Sequence, residues 1–167
     1  FGILFCILNL YISYLNGLYG IFIFSLIIFV PSQIHGFVSW FKNRNKKNEV
    51  ILRHFTFKIS LIVIISSLLG SIVLGYLLTK IPGQNLAFFD STSTILNLCS
   101  IILMNLRYKE FWIVFLFNNV IDLIIWLINT INNTQNAIMM LIVSIGYMLI
   151  NIYGLFNCLE LEARYEN

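Results

Sequence analysis

Apolar runs broken by short polar stretches fill the chain, and most approach the ~20 residues with which a helix crosses a bilayer. The first covers Phe1 to about Leu15 and ends at Asn16-Gly17, a turn signal. The second runs from about Leu18 to Trp40. It contains Pro31, which removes a backbone donor and predicts a kink that a spanning helix tolerates. A third helix is expected over Phe55–Thr79, a fourth from about Phe88 to about Leu106, and a sixth from about Ala137 to Cys158. Pro82-Gly83 marks the loop Lys80–Ala87, and a short charged tail follows the sixth helix.

The fifth run, Leu106–Trp126, organises the rest. Trp112, Phe115, Asn119, Asp122 and Trp126 recur along it at helical steps and share one stripe. An unpaired charge at the bilayer centre costs roughly 2.5–3.5 kcal/mol even on insertion scales, so Asp122 should face protein, water or the membrane surface. With Trp126 it is expected nearer the outer end, at an entrance or at the interface. The stripe reads as the wall of an internal pathway, closing at the Asn-rich turn Asn129–Asn136.

Composition agrees: 59% of residues are hydrophobic and 10% charged, more apolar surface than a soluble domain needs. Lys42, Arg44, Lys46, Lys47 and Arg53 face a single Glu49 in the linker 41–54, which the positive-inside rule makes cytoplasmic. Arg107 and Lys109 mark a second cytoplasmic turn, and alternation then puts the C-terminus inside, with Lys80 the exception. No basic or acidic tail suggests nucleic acid. Cys6, Cys99 and Cys158 lack metal-ligand spacing and read as small buried hydrophobes. No cofactor, metal or catalytic motif is present. Phe1 lies already inside an apolar run, with neither a charged leader nor a cleavage pattern, and a fragment lacking its N-terminal part is expected.

Four amides, Gln33, Asn97, Asn119 and Asn151, lie at bilayer depth on separate helices. Each brings donors and an acceptor that hydrocarbon leaves unsatisfied. They serve either as helix–helix glue, at about 0.6 kcal/mol each, or as a shared polar site. Asp90, Thr94 and Asn97 fall at i, i+4 and i+7. Asp90 is either the N-cap of its helix or a substrate contact. Trp40 and Trp112 stand near basic residues, where tryptophan also forms interfacial belts. Gln33-Ile34-His35-Gly36 is echoed by Asn151-Ile152-Tyr153-Gly154, which suggests two halves running in the same direction. Gly70 and Gly75 give only a weak signal for close helix contact. Rings flanked by amides suit a flat polar or cationic heteroaromatic ligand with hydroxyls. A non-transporting membrane scaffold, and an intramembrane enzyme using a pair such as Asp90 and His35, remain the other classes.

These residues resemble the nicotinamide riboside (PnuC-type) vitamin transporters. Phe89-Asp90-Ser91, leading through Ile102-Leu103-Met104 to Tyr108, Glu110, Trp112 and Asn119, is similar to the family's F/W-D-S start and its R/K-Y-x-E-x-W-x-x-W-x-x-x-N segment. Gly36–Trp40 followed by a basic linker resembles the end of the family's third helix. The likeness implies an all-α membrane protein of seven helices in a SWEET-like 3+1+3 parallel repeat, of which this chain holds six. Residues 1–40 would complete the first three-helix bundle and 41–54 form the cytoplasmic linker. Residues 55–79 would be the inverting connector, 88–158 the second bundle and 159–167 a cytoplasmic tail. The resemblance further implies central binding, facilitated diffusion across the cell's inner or plasma membrane, and trapping by a cytosolic nicotinamide riboside kinase. Partners are then the vitamin and membrane lipid, with a homo-oligomer left open. Trp112 and Asn119 match the motif, and Gln33 and Asn151 occupy places where it favours amides. Phe115 stands where a second Trp is expected; stacking survives but the indole donor is lost. Nicotinamide riboside, thiamine, riboflavin and deoxynucleosides therefore all remain as substrates. The expected substrate-binding set is Gln33, Asp90, Thr94, Asn97, Trp112, Phe115, Asn119, Asn151 and Tyr153.

Overall fold

The structure, a computed structural model, describes residues 25–43, 52–80, 86–133 and 137–166. The first apolar run, the start of the second, most of the basic linker and the Pro82-Gly83 loop lie outside them. The described residues form α1 (Val30–Lys42), α2 (Phe57–Leu78), α3 (Ala87–Asn105), α4 (Phe111–Ile131) and α5 (Ala137–Glu166). The last four contain spans long and apolar enough to cross a membrane. Their exposed faces carry Ile, Leu, Val, Phe and Met throughout, as a protein solvated by lipid requires.

The chain divides into two units. One takes in the residues up to Arg53 together with Met104–Tyr108. In it a π-type turn, Ser25–Phe29, leads directly into α1, with Pro31 in the first α-helical turn. The expected kink therefore resolves as a local widening of the helix around the missing N–H. Further along α1, Trp40 Nε1 donates to Met104 O (2.9 Å) and Ser39 Oγ to Asn105 O (3.1 Å). Two carbonyls at the end of α3 thus accept from side chains, Met104 O taking the Arg107 N–H (3.0 Å) as well. Gly36 is buried against the Asn105 side chain. Arg53 N donates to Arg107 O (2.7 Å), and the Arg53 guanidinium lies 5.8 Å from the Tyr108 ring centre. The two basic segments expected on one side of the membrane are thus joined backbone to backbone.

The second unit holds His54–Leu103 and Lys109 onward. Here α2 meets α3 along small residues. Ser91 Oγ donates to Ser71 O (2.9 Å), and a Cβ on Gly75 would stand 2.6 Å from Phe88 Cδ1 and 2.9 Å from Ser91 Oγ. Gly70 contributes the looser contact, with Ile95 at 3.3 Å. Ser71 and Gly75 supply the small-xxx-small spacing that Gly70 and Gly75 lack.

Three sequence expectations shift. Asp90 is not a cap: α3 begins three residues earlier, after Leu86 at φ 56°, and Asp90 N donates to Leu86 O (2.9 Å). The turn expected at Arg107 and Lys109 extends over Leu106–Glu110, with Arg107 at φ 64°, so α4 starts only at Phe111 and not at Leu106. Finally, α5 continues through 159–166, where a separate tail was expected, since its sequence offers no Gly or Pro to stop it.

Glu110 ties the starts of α2 and α4 together, its Oε1 accepting from Phe55 N (2.9 Å). Glu110→Ala removes that acceptor and is expected to destabilise by about 1–3 kcal/mol, while Glu110→Gln retains most of the stability. Thermal unfolding in detergent measures both.

Candidate functional site

A spanning helix that carries two adjacent amides must turn both inward or pair them, because lipid offers no partner. On α4, Asn118 and Asn119 are 4% and 5% exposed. Asn118 Nδ2 donates to Asp122 Oδ2 (3.0 Å) one turn later, and Ser93 Oγ of α3 donates to Asp122 Oδ1. Asp122 thus faces protein, as its charge requires. It lies beside the midpoint of α4, not near the outer end, because the helix starts at Phe111 instead of Leu106. Asn118 Oδ1 and Asn119 Nδ2 are buried without a hydrogen-bond partner. A buried unsatisfied donor or acceptor carries its whole desolvation penalty, about 1–3 kcal/mol, so a folded protein that keeps two side by side invites a ligand or water.

Along the stripe, Trp112, Phe115, Asp122 and Trp126 are half-buried. Phe111, 2% exposed, supports the rings: its centroid is 4.4 Å from that of Trp112 and 6.0 Å, edge-on, from that of Phe115. The six-membered ring of Trp112 occupies the space that a Cβ on Gly154 of α5 would fill. Asn151 stands one turn before Gly154 on the same face of α5. The antiparallel register set by Trp112 and Gly154 puts Asn151 level with Phe115.

The Ser93–Asp122 bond likewise sets α3 against α4. Asp90 and Asn97 flank Ser93 at i−3 and i+4 on its face, and Asn97 lies level with Asn118. Thr94 is half-buried on the neighbouring flank. Tyr153 is 69% exposed and not part of this set. Gln33 is half-buried on α1, in the other unit.

Sequence reasoning missed Ser93 and Asn118. The Asn118–Asp122 spacing of four was the available signal; Ser93 sat unremarked in the run Asp90-Ser91-Thr92-Ser93. A separate groove of about 320 Å³ among α2, α3 and α4, floored by Ser71, Phe88, Thr92 and Phe117, contains none of the expected site residues. Its walls are mainly apolar, so it offers few polar contacts for orienting a ligand. Among the described residues no group of three His, Cys, Asp or Glu stands ready for a metal ion.

Comparison with known proteins converges on one family. The chain is 27% identical to the nicotinamide riboside transporter PnuC of Neisseria mucosa, over 99% of its own length and 64% of the relative's. It therefore spans less than two thirds of that protein. It is 25% identical to the nicotinamide riboside transporter PnuC of Haemophilus influenzae, covering 98% of this chain and 70% of that one. A crystal structure of the vitamin B3 transporter PnuC superposes with a TM-score of 0.70 at 27% identity, over 98% of this chain and 71% of that one. The all-helical, multi-pass membrane architecture is thus shared with a solved transporter. With the family model for the nicotinamide mononucleotide transporter matching residues 1–159, the chain belongs to that family, one of membrane transporters and not of enzymes.

Proposed function

We propose that the protein carries nicotinamide riboside, or a related vitamin or nucleoside, across the cell's inner membrane by facilitated diffusion, with phosphorylation by a cytosolic kinase trapping the product. The observation that carries this reading is the Asn118–Asn119 pair. Both amides are more than nine-tenths buried, each has an unused hydrogen-bonding atom, and they stand on the same helix as the aromatic stripe. Trp112 and Phe115 would stack on the ring, while Asn119, Asn97 and Asn151 would bond its polar groups. Asp90 and Thr94 would line the same path.

In this reading the chain supplies six helices of a seven-helix 3+1+3 arrangement, with α2 as the inverting connector and the C-terminus cytoplasmic. Two features support the repeat. α2 meets α3 through a narrow seam of small residues and leaves most of its surface exposed. The two echoed glycines, Gly36 and Gly154, each take a neighbouring side chain against bare backbone. A membrane scaffold would instead pair its amides with one another. The unused Asn118 and Asn119 atoms speak against that second reading.

The test is uptake of radiolabelled nicotinamide riboside into vesicles without an ion gradient. The wild-type protein is expected to equilibrate the label. Trp112→Ala combined with Asn119→Ala is expected to slow it at least ~100-fold, the loss of one stacked ring and one buried polar pairing. Undiminished uptake by the double variant would remove the site from the account.

A further inference from the structure

Asp122 brings a carboxylate to the middle of α4, about 14–17 Å along the axis from either helix end at 1.5 Å per residue. Its hydrogen-bond donors, Ser93 Oγ and Asn118 Nδ2, are neutral. A second carboxylate, Asp90, lies one turn before Ser93 on α3. The basic residues described in that unit, His54, Lys58, Lys80, Lys109 and Arg164, all stand in the first or last turn of a helix or in the turns between helices. Beside the carboxylate lies a further acceptor, Asn118 Oδ1, more than nine-tenths buried and unpartnered, on the very amide whose Nδ2 is bonded to Asp122. Neutral donors alone do not balance a charge at bilayer depth.

We infer that Asp122, seconded by Asn118 Oδ1, is the counter-charge for a positively charged heteroaromatic substrate. This rests on the transport reading above and narrows it. Cationic N-substituted pyridinium or thiazolium rings are selected, while neutral flavins and deoxynucleosides are disfavoured. Asp122 lies one turn from Asn119 on the stripe, so charge and amide act on the same bound molecule.

Calorimetric titration of the purified protein at fixed salt tests it with two probes: nicotinamide riboside, a cation, and its neutral 1,4-dihydro form, which keeps the ribose and carboxamide. The wild-type protein is expected to prefer the cation by about 10- to 100-fold, the attraction of one charge pair at intermediate dielectric. Asp122→Asn, nearly isosteric, should erase that preference, bringing the two affinities to within about twofold of one another, and a cooperative thermal unfolding reports that the variant is folded. Asp122→Glu should keep part of the preference, and it decides the matter if Asp122→Asn does not fold. Equal affinity of the wild-type protein for both probes overturns the inference, as does a preference that survives Asp122→Asn; in either case transport stands. Binding of neither probe by the wild-type protein overturns the transport reading and this inference together.

Discussion

Asn119→Leu is expected to raise the unfolding temperature of the ligand-free protein and at the same time abolish vitamin binding. The Asn119 side chain is 5% exposed and its Nδ2 donates to nothing. Such a group destabilises the fold by about 1–3 kcal/mol, and an apolar side chain of similar volume relieves that penalty. Ligand affinity should fall at least ~100-fold, because a bound polar group that expects the amide meets a methyl instead. A residue that worked as glue between helices would behave oppositely: its loss would lower the unfolding temperature and leave binding alone. Sites that store this kind of penalty are where proteins exchange stability for function.

Gly154→Val carries the second large effect. The Trp112 ring fills the space that any Cβ at Gly154 needs. The ring is rigid and Phe111 backs it at 4.4 Å, so it has little room to retreat. Overpacking of this kind costs about 1–3 kcal/mol. Thermal unfolding in detergent should show a fall of that size, and uptake should drop more than stability alone explains, because the displaced indole no longer meets the substrate ring. Trp112→Phe on the Gly154→Val background is expected to restore part of the stability, since a smaller ring clears the new side chain. A Gly154→Val protein with normal stability and uptake would show that the Trp112 seat has no role.

The helices were largely legible in the sequence because their length is dictated by the bilayer. Apolar runs bounded by Pro, Gly, Asn or basic clusters placed α2 to within two residues at each end and α3 to within one. The turn after α3 was legible from Arg107 and Lys109, but its extent through Glu110 was not. Leu106 and Tyr108 suit a helix, and nothing about Arg107 advertises a positive φ; the backbone bond from Arg53 to Arg107 is a tertiary event. For the same reason Asp90 looked like a cap. Its true position in the first turn of α3 follows from Leu86, a residue type that rarely adopts the left-handed region. On α4 the period of the stripe gave the inward face, but not that Asn118, 100° away from Asn119, would turn inward too and bond Asp122. Gly154 was visible only as part of a four-residue echo. Its partner Trp112 lies more than forty residues away, and single-chain periodicity carries no information across that distance.

The measurement that bears most directly on whether α4 builds a ligand chamber is paired: nicotinamide riboside titrated into the wild-type and Asn119→Leu proteins, with the ligand-free unfolding temperature of each recorded alongside. The account predicts saturable binding to the wild-type protein, no detectable binding to the variant, and a variant at least as heat-stable as its parent. A variant that binds as tightly as the parent, or that melts earlier while still binding, would contradict it.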